Sequence, residues 1–173
     1  MSWKHPFDKS TITSVFGTTV RRTSPHRGTD YAPKAYSLIP AITNGTIKVT
    51  AWSDCLGWYV VQTGWADGKT WYLGYCHLAC NQHGIDCKGP TQHPDGSNNF
   101  KRLKVGDKVE LGQPIGRVGN TGDCSKGAHA HITLGRTAKS VVSGQVYDVA
   151  AFIDSQAAVP AKKDICKCCK RPL

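Results

Sequence analysis

Between residues 57 and 78 the chain reads GWYVVQTGWADGKTWYLGYCHL, two arms of alternating apolar and polar positions that meet at Asp67-Gly68. Period-two alternation in β-branched and aromatic residues marks strands, and Asp-Gly between two such runs marks a hairpin. The same pattern recurs in shorter pieces. SLIPAITNGTIKVTAW (37–52) predicts two short strands around Asn44-Gly45, and LKVGDKVELGQPIGRVGN (103–120) predicts another pair broken by Gly106-Asp107 and Gly112. Residues 10–23 read as a strand and a turn, HAHITLG (129–135) as a strand, and YDVAAFIDS (147–155) as a short helix.

Two segments carry no periodicity. Residues 79–102 (ACNQHGIDCKGPTQHPDGSNNFKR) are rich in Gly, Pro, Asn and Asp, and a loop of that length in a compact domain is usually functional. Residues 160–173 (PAKKDICKCCKRPL) form a basic, cysteine-rich tail. The expected organisation is one domain over 1–159, interrupted by the 79–102 loop, with 160–173 as an appendage. Composition agrees with a β domain: 39% hydrophobic residues, with 18 glycines and 9 prolines to make turns. The fold class expected is therefore mainly β, antiparallel, with few short helices.

Charge narrows the partners only in part. Twenty-two Lys and Arg against 12 Asp and Glu leave a net charge of +10, which favours an anionic partner without choosing nucleic acid, lipid or cell wall. No zinc-finger spacing, helix-turn-helix or RNA-binding aromatic signature is present, so nucleic acid is not expected. No apolar run approaches the ~20 residues that span a bilayer as a helix. The N-terminus, MSWKHPFDKSTITS, lacks the apolar core of a secretory signal.

The eight cysteines (55, 76, 80, 87, 124, 166, 168 and 169) point the other way, to disulfides and an oxidising place of work. A protein made in a cytoplasm and released to act outside it reconciles the two. Cys80, His83 and Cys87 also have spacings that could suit a second, structural zinc, completed by a tail cysteine. Disulfides are the favoured account, and their connectivity is not readable from the sequence. The five tryptophans fit core and hairpin packing, with one or two available to line a groove.

Candidate chemistry sits at three places. KGAHAHITL (126–134) puts His129 and His131 two residues apart in a strand, so both rings face one side. SPHRGTDYAP (24–33) offers His26 and Asp30, with Gly28 permitting a tight backbone between them. GYCHLAC (74–80) offers His77 at the end of the hairpin. Each alone is ordinary: His77 could be a hydrogen-bonded structural residue, and His26 with Asp30 an exposed loop pair. Together they have the makings of a catalytic zinc site, which needs three protein ligands and an open position. Imidazoles left over can exchange protons near neutral pH.

In order along the chain, TSVFG (13–17), HRGTD (26–30), IPAITNGTI (39–47), YCHL (75–78), LKVGDKVELGQPIGRVGNTG (103–122) and HAH (129–131) resemble the lysostaphin-type zinc endopeptidases, the peptidoglycan-cleaving M23 family. The resemblance implies an antiparallel β-sheet domain with an open active-site cleft. It implies that His26, Asp30 and His131 bind one catalytic zinc, while His77 and His129 position and deprotonate water and stabilise the oxyanion. It further implies hydrolysis of a peptide bond in the stem or cross-bridge of bacterial peptidoglycan, by a phage lytic protein either free or carried in the virion with other virion proteins as partners. Such an enzyme would reach the host wall by lysis rather than by its own secretion signal. Where the family commonly reads STGPHLHFE, this chain reads SKGAHAHIT, so Ala128, Ala130 and Thr133 reshape the adjoining groove. The loop carrying Asp123 and Cys124 is about one residue longer than in the family, and the 79–102 loop is much longer. The alternative is a structural or binding module of a phage tail tip on the same fold. A nucleic-acid-binding zinc protein built on the CKCCKRPL tail is the remote third reading.

Overall fold

The computed structural model describes residues 2–80 and 103–158. Its body is an antiparallel sheet in the order β1-β2-β9-β6-β5-β4-β7, with β10 also pairing β9, and a separate two-stranded sheet of β3 and β8. The strands are β1 (Ile12–Ser14), β2 (Thr29–Tyr31), β3 (Leu38–Pro40), β4 (Gly45–Ser53), β5 (Gly57–Ala66), β6 (Lys69–Leu78), β7 (Lys108–Val109), β8 (Pro114–Arg117), β9 (Ala130–Gly135) and β10 (Val146–Tyr147). Two helices, α1 (Ala138–Ser143) and α2 (Val149–Ala157), follow β9. Among the described residues, no helix is long and apolar enough to cross a membrane. The mainly β, antiparallel class expected from the sequence is the one observed.

The 57–78 hairpin forms the centre of the sheet as β5 and β6. Its tip residues Asp67 (φ 52°) and Gly68 (φ 71°) both take the left-handed conformation that a tight hairpin turn of this kind requires. The 37–52 stretch does make two strands, but they are not partners. β3 pairs with β8, while β4 pairs with β5 and β7. Turn chemistry located the chain reversal; it could not say which neighbour each strand would take.

Residues 29–31, for which the sequence predicts no element, form the fully buried strand β2, hydrogen-bonded between β1 and β9. Three residues are too few to show a period, and Asp is depleted in strands. Helix α1 and strand β10 likewise carry no sequence signal. α1 is capped by Thr137, whose hydroxyl accepts from the Ser140 N–H, while the Ser140 hydroxyl accepts from the Thr137 N–H.

The core gathers Trp3, Tyr31, Ile39, Ile42, Ile47, Leu73, Tyr75, Leu78, Ile132, Leu134 and Ile153. Trp3 packs edge-on to Phe152 of α2 with ring centroids 5.0 Å apart, and Trp71 packs against the same ring at 4.6 Å. None of the five tryptophans lines the cleft described below, so the groove-lining role is not filled by them. Of the 79–102 loop, only Ala79 and Cys80 lie within the described residues, and the 160–173 tail lies outside them.

Candidate metal centre

β9 is the axis of the site. Asp30 on β2 is the cross-strand partner of His131, and Cys76 on β6 faces His131 from the other side. His129, one residue before β9, bridges to Gly119, and period-two geometry turns its ring to the same face as that of His131. His26 arrives from the β1–β2 connection, where its N–H donates to the Thr18 carbonyl and its own carbonyl accepts from Gly17. Gly28 makes the approach possible. A Cβ there would come within 2.7 Å of His131 Cε1 and closer still to the Ile132 carbonyl oxygen.

His77 is placed by an irregularity. Between the pairs Trp58↔Leu78 and Val60↔Tyr75, Cys76 and His77 together oppose Tyr59, which is a β-bulge. His77 itself has φ 59°, an uncommon conformation for a residue other than glycine and one that turns up at functional sites. The bulge re-aims the ring toward His129, with centroids 4.7 Å apart, and toward His131 at 5.8 Å.

Carbonyl partners fix the tautomers. A carbonyl only accepts, so an imidazole nitrogen bonded to one must carry the proton. His77 Nδ1 donates to the Thr121 carbonyl at 2.7 Å, His129 Nδ1 to Gly127 at 2.8 Å, and His26 Nδ1 faces Val15 at 3.1 Å. In the neutral form of each ring, Nε2 then carries the lone pair. For His131 the inward atom is Nδ1, 2.8 Å from Asp30 Oδ1.

Three electron-pair donors thus converge. His26 Nε2 lies 3.1 Å from His131 Nδ1 and 3.1 Å from Asp30 Oδ1, which closes a triangle with the 2.8 Å edge. Neutral nitrogens and a carboxylate facing one another at this range repel unless a cation lies among them. Ligands held ~2.0–2.1 Å from a tetrahedral zinc stand about 3.3 Å apart, close to the observed edges. Among the described residues, these three are the one His/Cys/Asp/Glu group able to hold a metal ion. Asp30 Oδ2 is held from behind by Arg22 at 3.0 Å, and the same guanidinium reaches Ser14 Oγ, which contacts His26 Nδ1. This supporting network around Arg22 and Ser14, together with the Thr121 and Gly127 carbonyls, had no signature of its own in the sequence.

Electrostatics keep the donors in their ligating forms. Burial works to raise the Asp30 carboxyl, but the His131 and His26 rings within hydrogen-bonding distance, with His129 close by, outweigh it and hold it well below the usual carboxylate range. Burial, reinforced by the neighbouring histidines, depresses His77 to about 3 and outweighs the Thr121 and Asp30 contributions. Burial likewise depresses His131 despite the Asp30 carboxylate beside it.

The five residues singled out in the sequence therefore stand in one cleft of about 920 Å3. His129 Nε2 is 3.6 Å from Asp30 Oδ1, beside the triangle rather than in it. The cleft wall includes Cys55 and Cys124, joined in a disulfide that ties the β4–β5 turn to the loop before β9. Cys80 is also disulfide-bonded, which removes it from a second metal site. Cys76 is a buried free thiol, and His83, Cys87 and the tail cysteines lie outside the described residues.

No protein-family model matches the chain. Solved structures do. The catalytic domain of the antimicrobial peptidase lysostaphin from Staphylococcus simulans aligns at TM-score 0.59 with 23% identity, over 83% of this chain and 91% of that one. A point mutant of the catalytic domain of a prophage-encoded M23 protein, EnpA from Enterococcus faecalis, aligns at 0.58 with 27% identity, over 83% and 93%. A zinc-containing peptidase from Vibrio cholerae aligns at 0.58 with 24% identity, over 86% of this chain but only 39% of its own.

Proposed function

We propose, from the lysostaphin-type (M23) peptidase fold the chain carries, that it is a zinc-dependent endopeptidase hydrolysing peptide bonds in the stem or cross-bridge of bacterial peptidoglycan. The observation that carries the proposal is the triangle of His26 Nε2, Asp30 Oδ1 and His131 Nδ1, with the rings of His77 and His129 beside it. When bound, zinc supplies Lewis acidity, polarising a carbonyl and making a water acidic near neutral pH.

The chain's own residues do the rest. His77 and His129 accept hydrogen bonds at Nε2 and so orient a water in the cleft. One of them takes the water's proton at Nε2. The imidazolium formed can then donate from that atom to the oxyanion and to the leaving amine. Thr121 and Gly127 prevent ring flips by holding each Nδ1–H. Burial keeps His77 neutral at rest, so its lone pair is present across the physiological range. Arg22 fixes the carboxylate of Asp30, and the bulge at Cys76-His77 fixes the direction of attack.

The peptidase unit is taken as residues 1–159 with the 79–102 insertion, and 160–173 as a tail. The Cys55–Cys124 disulfide supports work on the outer side of a host wall. The prophage-encoded neighbour supports a phage lytic role, free or virion-bound. Mass spectrometry of fragments released from purified cell walls by the zinc-loaded chain, with His129→Ala as control, tests the proposal. New peptide ends absent from the control are expected. With zinc bound at one equivalent, a failure to release fragments from several wall types would favour a structural module of a tail tip instead.

A further inference from the structure

The cleft is built around a negative ligand, yet its rim is positive. Asp30 is the single carboxylate among the described residues that line it, and both its oxygens are engaged, Oδ1 by His26 and His131 and Oδ2 by Arg22. Arg21, Arg27 and Lys126 also line the cleft and are exposed. No carboxylate among the described residues lies within ion-pair distance of any of the three.

One of them is held in a defined position. Arg27 is one residue from His26, and its guanidinium donates to the backbone carbonyls of Gly144 and Ser140 at the end of α1. Those neutral partners fix where the group stands without cancelling its charge. Arg21 has φ 56° in a turn that the Arg22 N–H closes onto the Thr19 carbonyl. A long charged side chain occupies a conformation that glycine would take more readily. Lys126 comes from a different loop, three residues before His129.

From this arrangement we propose that the substrate is an anionic peptide, with at least one free carboxylate near the scissile bond, bound by Arg21, Arg27 and Lys126. An uncharged oligoglycine bridge would leave these cations without a partner. The proposal rests on the peptidase reading of the same cleft and narrows it to a substrate class. Charges of one sign along a cleft focus the field on an incoming ligand of the opposite sign, and the effect is screened by salt. Each exposed pair contributes modestly, so about tenfold discrimination is expected from three acting together.

The test uses the full chain, zinc-loaded, and two synthetic peptides identical except that one carries a side-chain carboxylate beside the scissile bond and the other its carboxamide. The ratio of kcat/KM for carboxylate over carboxamide should be about ten at low salt and should fall as salt is added. Arg21→Gln combined with Lys126→Gln should lower that ratio toward one, and Arg27→Gln should lower it independently. Arg21 and Lys126 are exposed, so their replacement does not threaten folding. Equal turnover of both peptides, or a ratio the variants leave unchanged, overturns the proposal while leaving the peptidase reading intact. If neither peptide is cut, fluorescence anisotropy of the labelled peptides decides. Tenfold tighter binding of the carboxylate peptide, lost in the double variant, sustains the anionic subsite, and equal binding refutes it.

Discussion

Gly28→Ala should weaken the protein's hold on its metal without replacing a ligand. Residue 28 is not in the left-handed region, so the cost is one of contact rather than backbone conformation. The added methyl would stand 2.7 Å from Cε1 and 2.9 Å from Nε2 of His131, and nearer still to the Ile132 carbonyl oxygen. Carbon atoms settle at about 3.5–4.0 Å, so relief against the ring needs roughly 0.8 Å of movement. Neither side can give freely. His131 is paired to both β2 and β6, and Asp30 follows Gly28 by two residues on the strand that would have to move. A site of this kind tolerates displacements of about 0.5 Å. Metal affinity should fall at least about 10–100-fold, the range seen when a ligand's support is lost. The metal-free protein should lose about 1–3 kcal/mol from overpacking. Zinc competition against a chromogenic chelator, with urea unfolding of the metal-free form, measures both. Zinc affinity within threefold of the parent would refute the claim that the β2–β9 approach sets the ligand triangle.

Three further outcomes follow from other parts of the molecule. Replacing Cys55 and Cys124 together by Ser opens a cross-link spanning 69 residues and should cost about 4 kcal/mol in urea unfolding, by the loop-entropy estimate; a loss under 1 kcal/mol would contradict it. Arg22→Gln should weaken zinc binding about 10–100-fold while the fold stays intact by circular dichroism, because Asp30 Oδ2 loses its tether. Burial pushes the Cys76 thiol up to about 12. The native thiol should therefore resist maleimide at pH 8 and react only on unfolding, and full labelling of the folded protein would refute its burial. The unfolded chain gives up that proton first as pH rises past about 9, so Cys76 contributes stability below that pH and loses it on the way to 12.

Much of this was legible where a local rule governs. The β5–β6 hairpin announced itself because alternation on both arms and Asp67-Gly68 at the tip require the same structure. His129 and His131 could be placed on one face because a strand has period two. The rest depended on partners distant in the chain. β2 is only three residues long and owes its existence to pairing with β1 and β9, so no local pattern marked Asp30 as a strand residue. The bulge at Cys76-His77 leaves no local mark, because it results from a register mismatch with β5. Thr121 and Gly127 act through carbonyls, which every residue has, and nothing in their side chains marks them. The Cys55–Cys124 pairing needed the β4–β5 turn to meet the loop before β9, a contact across the fold that cysteine counting could not supply.

The division of labour within the HAH pair is the central claim, and two variants measured side by side test it most directly. Zinc content by plasma mass spectrometry and wall-fragment release would be determined for His131→Ala and His129→Ala. His131→Ala should lose both the metal and the activity. His129→Ala should keep one equivalent of zinc and lose activity, because its Nε2 stands 3.6 Å from Asp30 Oδ1, outside the ligand triangle. A His129→Ala protein that still cleaves, or one that has lost its zinc, would contradict the assignment.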